Sequence, residues 1–252
     1  MTDSSADSDQ VTANLRLTVG DRPIVHPVTV PKAAVSAAAI VPALQGIVNA
    51  TVASAETSLL KDGGAISCRK GCGACCRQLV PISRTEGEAL LALLETLPAP
   101  RRAVLAERFG VASAKLADAG LRDRLLDPGR RTGLTDRDLS TAYFGQGIAC
   151  PFLEDESCSI HPDRPLVCRE YLVTSPAELC AGLAQEGVTP VPVAKLSLAA
   201  RGIDEDRAEA NTTGRWFPLA LLLEWSKGRP KRPSVKRPGP EWVERFLKRM
   251  GR

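Results

Sequence analysis

The sequence is poor in aromatic residues, at 4%, and has only two histidines and two methionines in 252 residues. It contains no G-x-G-x-x-G and no G-x-x-x-x-G-K-[ST] motif, so neither common phosphate-cradling loop can be read from it. No acid–base pair stands at a telling spacing. No uninterrupted apolar run approaches the roughly 18 to 20 residues that span a bilayer. The best stretch, AAVSAAAIVPALQGIVNATVA, is broken by Pro42, Gln45 and Asn49. The start, MTDSSADSDQ, is acidic and polar, without the basic n-region and apolar core of a secretory signal. A cytoplasmic, reducing setting is the expectation, and it carries over to the thiols.

Cysteine is absent from most of the chain, yet eight lie between residues 68 and 180. Cys68, Cys72, Cys75 and Cys76 fall within SCRKGCGACCRQ; Cys150, Cys158, Cys168 and Cys180 follow after a long gap. Thiolates are soft donors, suited to zinc and to iron–sulfur iron rather than to magnesium or calcium. Gaps of two and three residues let one loop wrap a metal. Gly71 and Gly73 suit that wrapping, since they permit unusual φ/ψ and close backbone approach. Arg69, Lys70, Arg77, Arg164 and Arg169 sit beside these cysteines, and cations favour the ligating thiolate. In a reducing setting such a pattern reads as metal binding rather than as disulfides. It leaves open one site or two, an iron–sulfur cluster or a zinc or iron ion. Cys75 and Cys76 are adjacent, so they can serve different ions.

Other residues are weaker candidates. His161 lies inside the second cysteine run, but eight thiols suffice for two sites without it. His26 reads as structural. Glu154, Asp155 and Glu156 read as a solvated turn, Arg164 and Arg169 alternatively as partners of Asp155 or Glu170, and Tyr171 as a neighbour of the site or core. The subset Cys68-x3-Cys72-x2-Cys75 has the radical S-adenosylmethionine spacing. That fold needs strands alternating with helices, which this Ala/Leu-rich, helix-favouring chain does not show.

The expected fold is α+β and mostly helical, with an N-terminal β-hairpin and long helices around an irregular cysteine-rich centre. Residues 1–11 read as disordered. Alternation about Gly20-Asp21 predicts strands near 13–19 and 24–30. Helical spacing predicts a helix over 32–60, bent at Pro42 and ended by DGG, and further helices over 84–96, 99–119 and 136–143. Ser83-Arg-Thr-Glu86 is a capping box. Ser175-Pro176 reads as a helix start, VTPVPV as extended, and 203–211 and 215–226 as helical. One cysteine-cluster domain over 12–226, with its core motif at 68–180, is followed by a tail over 227–252. That tail carries ten Lys/Arg against two Glu. Its Trp242, Val243, Phe246, Leu247 and Met250 form one apolar stripe. It is expected to dock on the chain's own core, with a nucleic-acid or protein partner as the alternative.

CRKGCGACCR followed by CPFLEDESCSIHPDRPLVCREY and a later cysteine resembles the cysteine-cluster family of the C-x-x-C-x-x-CC type, named for zinc or iron chelation. Flagellin lysine N-methylase carries a related domain. The resemblance spans residues 68–180; the first gap is three residues here, not two, and His161 stands where an aromatic is common. It implies a metal or iron–sulfur protein, with a [4Fe–4S] cluster or a zinc or iron ion as cofactor. By position it implies Cys68, Cys72, Cys75, Cys76, Cys150, Cys158, Cys168 and Cys180 as ligands. It raises two further readings: a cluster-dependent enzyme, methylase-like or redox, and a zinc-stabilised interaction module.

Overall fold

A computed structural model describes residues 9–20, 22–182, 187–203, 215–228 and 234–250. Two ten-residue strands, β1 (Gln10–Val19) and β2 (Arg22–Pro31), form an antiparallel hairpin with Val11 opposite Val30 and Leu17 opposite Ile24. Gly20, at φ +64°, makes the turn that an L-side chain resists. The expected hairpin is thus present, and its first strand begins at Gln10, inside the segment expected to be disordered; residues 1–8 of that segment lie outside the described residues.

The helix expected from residue 32 begins later. Residues Ala34–Ser36 are instead a short strand, β3, paired with β8 (Lys236–Pro238) near the other end of the chain. A 3-10 turn over Ala37–Ile40 leads into α1 (Val41–Lys61). Pro42 occupies the first turn of α1, so it opens the helix rather than bending it: its missing N–H would have had no intrahelical partner there. By length and composition alone Ala37–Lys61, 25 residues, is apolar enough to cross a membrane. In this fold it is a core helix. Ile40, Leu44, Ile47 and Val48 are buried against Val28 and Val30 of β2 and against Trp242 and Phe246.

After α1 the chain enters the first cysteine loop and then the short strand β4 (Pro81–Ile82). The capping box forms: Ser83 accepts from the Glu86 amide and Glu86 accepts from the Ser83 amide, opening α2 (Arg84–Thr96). α3 (Ala99–Asp118), α4 (Arg122–Leu126) and α5 (Asp136–Phe144) follow. The second cysteine run holds the two-residue strands β5 (Leu153–Glu154) and β6 (Ser157–Cys158), the five-residue helix α6 (Leu166–Glu170) and 3-10 turns over His161–Asp163 and Ala177–Ala181, in keeping with the irregular cysteine-rich centre expected.

The Ser175-Pro176 signal yields a 3-10 helix over Ala177–Ala181; the Ser175 hydroxyl accepts from the Thr189 amide across the loop instead of capping. α7 (Ser197–Ala200) precedes residues 204–214, which lie outside the description together with most of the helix expected over 203–211. In the 215–226 segment, Phe217–Pro218 form β7, paired with β4, and α8 (Leu222–Gly228) starts only beyond Pro218. The described strands thus form four two-stranded pairs, and the helices supply the bulk of the packing.

The tail ends in α9 (Gly239–Met250). Its stripe packs into the same core as α1, with Trp242 and Phe246 fully buried and the Trp242 indole N–H donating to the Val35 carbonyl at 2.9 Å. Most of its described cations are engaged within the chain. Arg245 donates to the Ile203 carbonyl, Arg249 to the Arg201 carbonyl, Arg237 to Glu241, and Lys248 pairs with Glu244.

Candidate metal centre

The first cysteine loop is shaped by its glycines. Gly71 takes φ +86°, open to glycine without strain. Gly73 lies so close to the β5–β6 turn that a Cβ would stand 2.5 Å from Glu156 Oε2 and 2.8 Å from Leu153 Cδ1. Between them the chain turns back, with the Cys72 amide donating to the Arg69 carbonyl, and a 3-10 turn over Ala74–Arg77 presents Cys75 and Cys76. The loop's start is moored to the far cysteine run: Ser67 donates from its amide to Val173 and from its hydroxyl to Thr174, both at 2.9 Å.

The second run closes on the first through the backbone. The Cys150 amide donates to the Cys76 carbonyl at 2.7 Å. Cys158 stands opposite Leu153 in the β5–β6 pair, whose turn residues Asp155 and Glu156 take φ +46° and +54°. That tight hairpin is held by ion pairs. Arg77 grips both carboxylate oxygens of Glu156, at 2.9 and 2.7 Å. Glu154 receives Arg101 and Arg108 from α3. Glu154 and Glu156 therefore form a clamp and face arginines rather than thiols, while Asp155 between them is an exposed turn residue as expected.

Cys168 is placed by α6, and α6 is stapled by buried polar groups. Glu86, which caps α2, turns its other oxygen to the Leu166 amide at 2.9 Å. Glu170 accepts from the Ser197 amide and hydroxyl, at 2.6 and 2.7 Å. Arg169 binds the carbonyls of Pro162 and Arg164 and the Asn49 side chain, not Glu170 or Asp155. Gln45, one turn before Asn49 on α1, donates to the carbonyls of Asp163 and Arg164. The two amides that interrupt the apolar run of α1 thus clasp the loop between Cys158 and Cys168. Cys180 arrives on the 3-10 turn over Ala177–Ala181, where Gln78 donates to its carbonyl at 3.0 Å.

All eight cysteines are free thiols, and the fold brings them into one electrostatic neighbourhood. Cys75 is its hub, hydrogen-bonded to Cys76 and within the field of Cys68, Cys150, Cys158, Cys168 and Cys180. Around it the others sort into two sets: Cys68, Cys72 and Cys180 act on one another, and so do Cys150, Cys158 and Cys168. No three His, Cys, Asp or Glu side chains are gathered about a single point among the described residues.

Burial raises the thiol pKa of Cys68, Cys150, Cys158, Cys168 and Cys180, Cys150 up to about 12, with neighbouring thiols adding to the effect. Cys75 is raised chiefly by its hydrogen bond with Cys76, then by burial. Two cations oppose this: Arg164 favours the thiolate at Cys68, Cys75 and Cys158, and Arg169 does so at Cys158. A half-buried set of thiols that repel one another when ionised is poorly satisfied by itself. A bound cationic centre relieves both desolvation and repulsion, so the donor set fits zinc or an iron–sulfur group. His161 is exposed; burial and the charges of Arg164 and Arg169 lower its pKa, and no thiol is among its electrostatic neighbours. His26 is structural, its Nε2 2.9 Å from where a Gly46 Cβ would stand on α1.

An all-thiol centre wrapped by irregular loops and stapled by buried charges is the form of a cysteine-rich metal-chelating domain. Residues 67–185, a little under half of the chain, match the CxxCxxCC family, described as Putative zinc- or iron-chelating domain, in agreement with the resemblance carried by the cysteine spacing. A search of curated proteins and of solved structures finds no match.

Proposed function

We propose that this chain is a metal-binding protein that holds an iron–sulfur cluster with ligands drawn from Cys68, Cys72, Cys75, Cys76, Cys150, Cys158, Cys168 and Cys180, in a reducing compartment such as the cytoplasm. The observation that carries the reading is the convergence of six other thiols on Cys75, from segments as far as a hundred residues away, with Cys72 joined to them through Cys68 and Cys180. The family's description gives chelation of zinc or iron. Two features favour a cluster, of the [4Fe–4S] type, over a single ion. The donors are all sulfur, and His161 is exposed with arginines rather than thiols as its electrostatic neighbours. The donors also number eight, more than the four that a single tetrahedral ion takes. When bound, such a group supplies one-electron transfer or a Lewis-acidic iron. The chain's own residues position it: Glu86, Arg169 and Glu170 fix α6, Arg77 and Glu156 close the first loop, and Arg164 supplies countercharge.

The docked tail bears on the alternative of a free nucleic-acid-binding arm. With Trp242 and Phe246 buried and Arg245 and Arg249 bonded to backbone carbonyls, α9 acts first as part of the fold. The test of the metal-binding reading is the metal content of Cys75→Ser and Cys168→Ser proteins purified without oxygen. Loss of most bound metal in both is expected. Full stoichiometry in both, in folded protein, contradicts it.

A further inference from the structure

A cavity of about 810 Å³ lies against the cysteine centre, with Cys75 and Cys168 in its wall. That volume suits a small organic molecule rather than a water cluster. One side of the cavity is α5, whose Asp136, Arg137, Ser140, Thr141 and Phe144 recur at helical spacing and line it together. The facing side is apolar, built from Leu79, Val80 and Val167. Tyr171 completes the wall; its buried hydroxyl has no nitrogen or oxygen partner, and its polar neighbour is the Cys180 thiol.

The charges are specific. Asp136 and Arg137 put one carboxylate and one guanidinium side by side in the wall, and both side chains are exposed. Neither forms an ion pair among the described residues; Asp136 feels Arg131 and Arg201 only through the field, and Arg137 acts likewise on Asp138. The cap of α5 is closed by Thr135 and Asp138; Asp136 in the first turn also suits the helix start and offsets buried Arg131 and Arg201 through the field, while its side chain stays exposed in the cavity wall. An ammonium and a carboxylate carried on one ligand would match them, leaving an apolar body to lie along Phe144, Val80 and Val167 toward the thiols.

We propose that this cavity binds a small zwitterionic molecule of amino-acid type, its ammonium at Asp136, its carboxylate at Arg137 and its apolar part directed at Cys75 and Cys168. The site itself does not depend on metal. Its consequence for the centre rests on the metal-binding reading: a centre with a ligand cavity against two of its thiols has an open side, whereas sites that only staple a fold are closed.

The test uses the full chain as purified and three probes of one shape: L-phenylalanine, phenethylamine with the cation alone, and 3-phenylpropionate with the anion alone. Binding is read by calorimetry and by saturation-transfer NMR, and metal content is measured on the same samples. L-phenylalanine is expected to bind about tenfold tighter than either singly charged probe, the worth of one charge-assisted contact. Asp136→Asn should bring it down to the level of 3-phenylpropionate, and Arg137→Gln to that of phenethylamine. Ser140→Trp, which puts a large ring into the middle of the α5 wall, should weaken binding of all three. Equal affinity for the three probes, absence of any binding, or indifference to Asp136→Asn and Arg137→Gln overturns the proposal. These two exposed surface changes keep the test decisive if Ser140→Trp does not fold. Loss of probe binding with metal retained rejects the cavity alone; binding without metal in the wild-type chain rejects the metal reading alone.

Discussion

Two regions of this molecule are stabilised by different means. The region built from β2, α1 and α9 is an ordinary apolar core, in which Ile40, Leu44, Val48, Trp242 and Phe246 are completely buried. The two cysteine runs, over 67–78 and 150–180, have only short elements, and their parts are tied by carboxylates, guanidinia and amides. The first region loses water-exposed apolar surface on folding and needs nothing more. The second gathers thiols that repel when ionised, so its order depends on what they bind. The two meet at α6, which Asn49 of α1 holds through Arg169.

The largest effect that sharpens the contrast is metal removal. Chelation should cost several kcal/mol of local stability, because a structural metal contributes its binding energy to folding. Hydrogen exchange should then quicken by about 100-fold or more at the amides of Cys72, Cys76 and Cys150, while α1 keeps its protection. Uniform protection loss across both regions would break the comparison. Lower pH should weaken the metal in the same place, since ligation displaces thiol protons and burial has raised those thiols.

The reverse experiment attacks the apolar region. Phe246→Ala should lower global stability by about 3–5 kcal/mol in denaturant unfolding. Metal per folded molecule should be unchanged.

Glu86→Ala tests the seam. It leaves the Ser83 and Leu166 amides buried without their acceptor, at a cost of about 1–3 kcal/mol. Because α6 carries Cys168, metal affinity should fall as well, which a purely apolar change elsewhere does not do.

The smallest effect belongs to the acidic clamp. Hydrogen bonds from Arg101 and then Arg108 hold the Glu154 carboxyl below its ordinary value of 4.5. Its contribution is therefore present above that value and is lost as pH falls through the lower folded one. Glu154→Gln should destabilise by about 1 kcal/mol at neutral pH. The gap from wild type should close on acidification; a gap that stays constant with pH contradicts the clamp.

Much of this was legible in the sequence. The hairpin follows from period-two alternation, α2 from its capping box, and the metal motif from cysteine spacing and the glycines that let its loop turn. What escaped reading was long-range. Nothing local says that Ala34–Ser36 pairs with Lys236–Pro238, so the helical pattern runs on over a strand. Pro42 reads as a kink until the helix start is known. Gln45 and Asn49 look like flaws in an apolar run, and only the fold shows them gripping the cysteine loop. Glu86 announces itself as a cap, yet its second oxygen serves α6, eighty residues on. The face of α5 that lines the cavity carries no motif at all.

The most direct test of the central claim is purification without oxygen, followed by an absorption spectrum and by iron, zinc and acid-labile sulfide analysis of one sample. The account predicts a brown protein with broad visible absorption and iron matched by sulfide. Colourless protein with zinc alone would contradict the cluster, and protein free of both metals would contradict the metal centre itself.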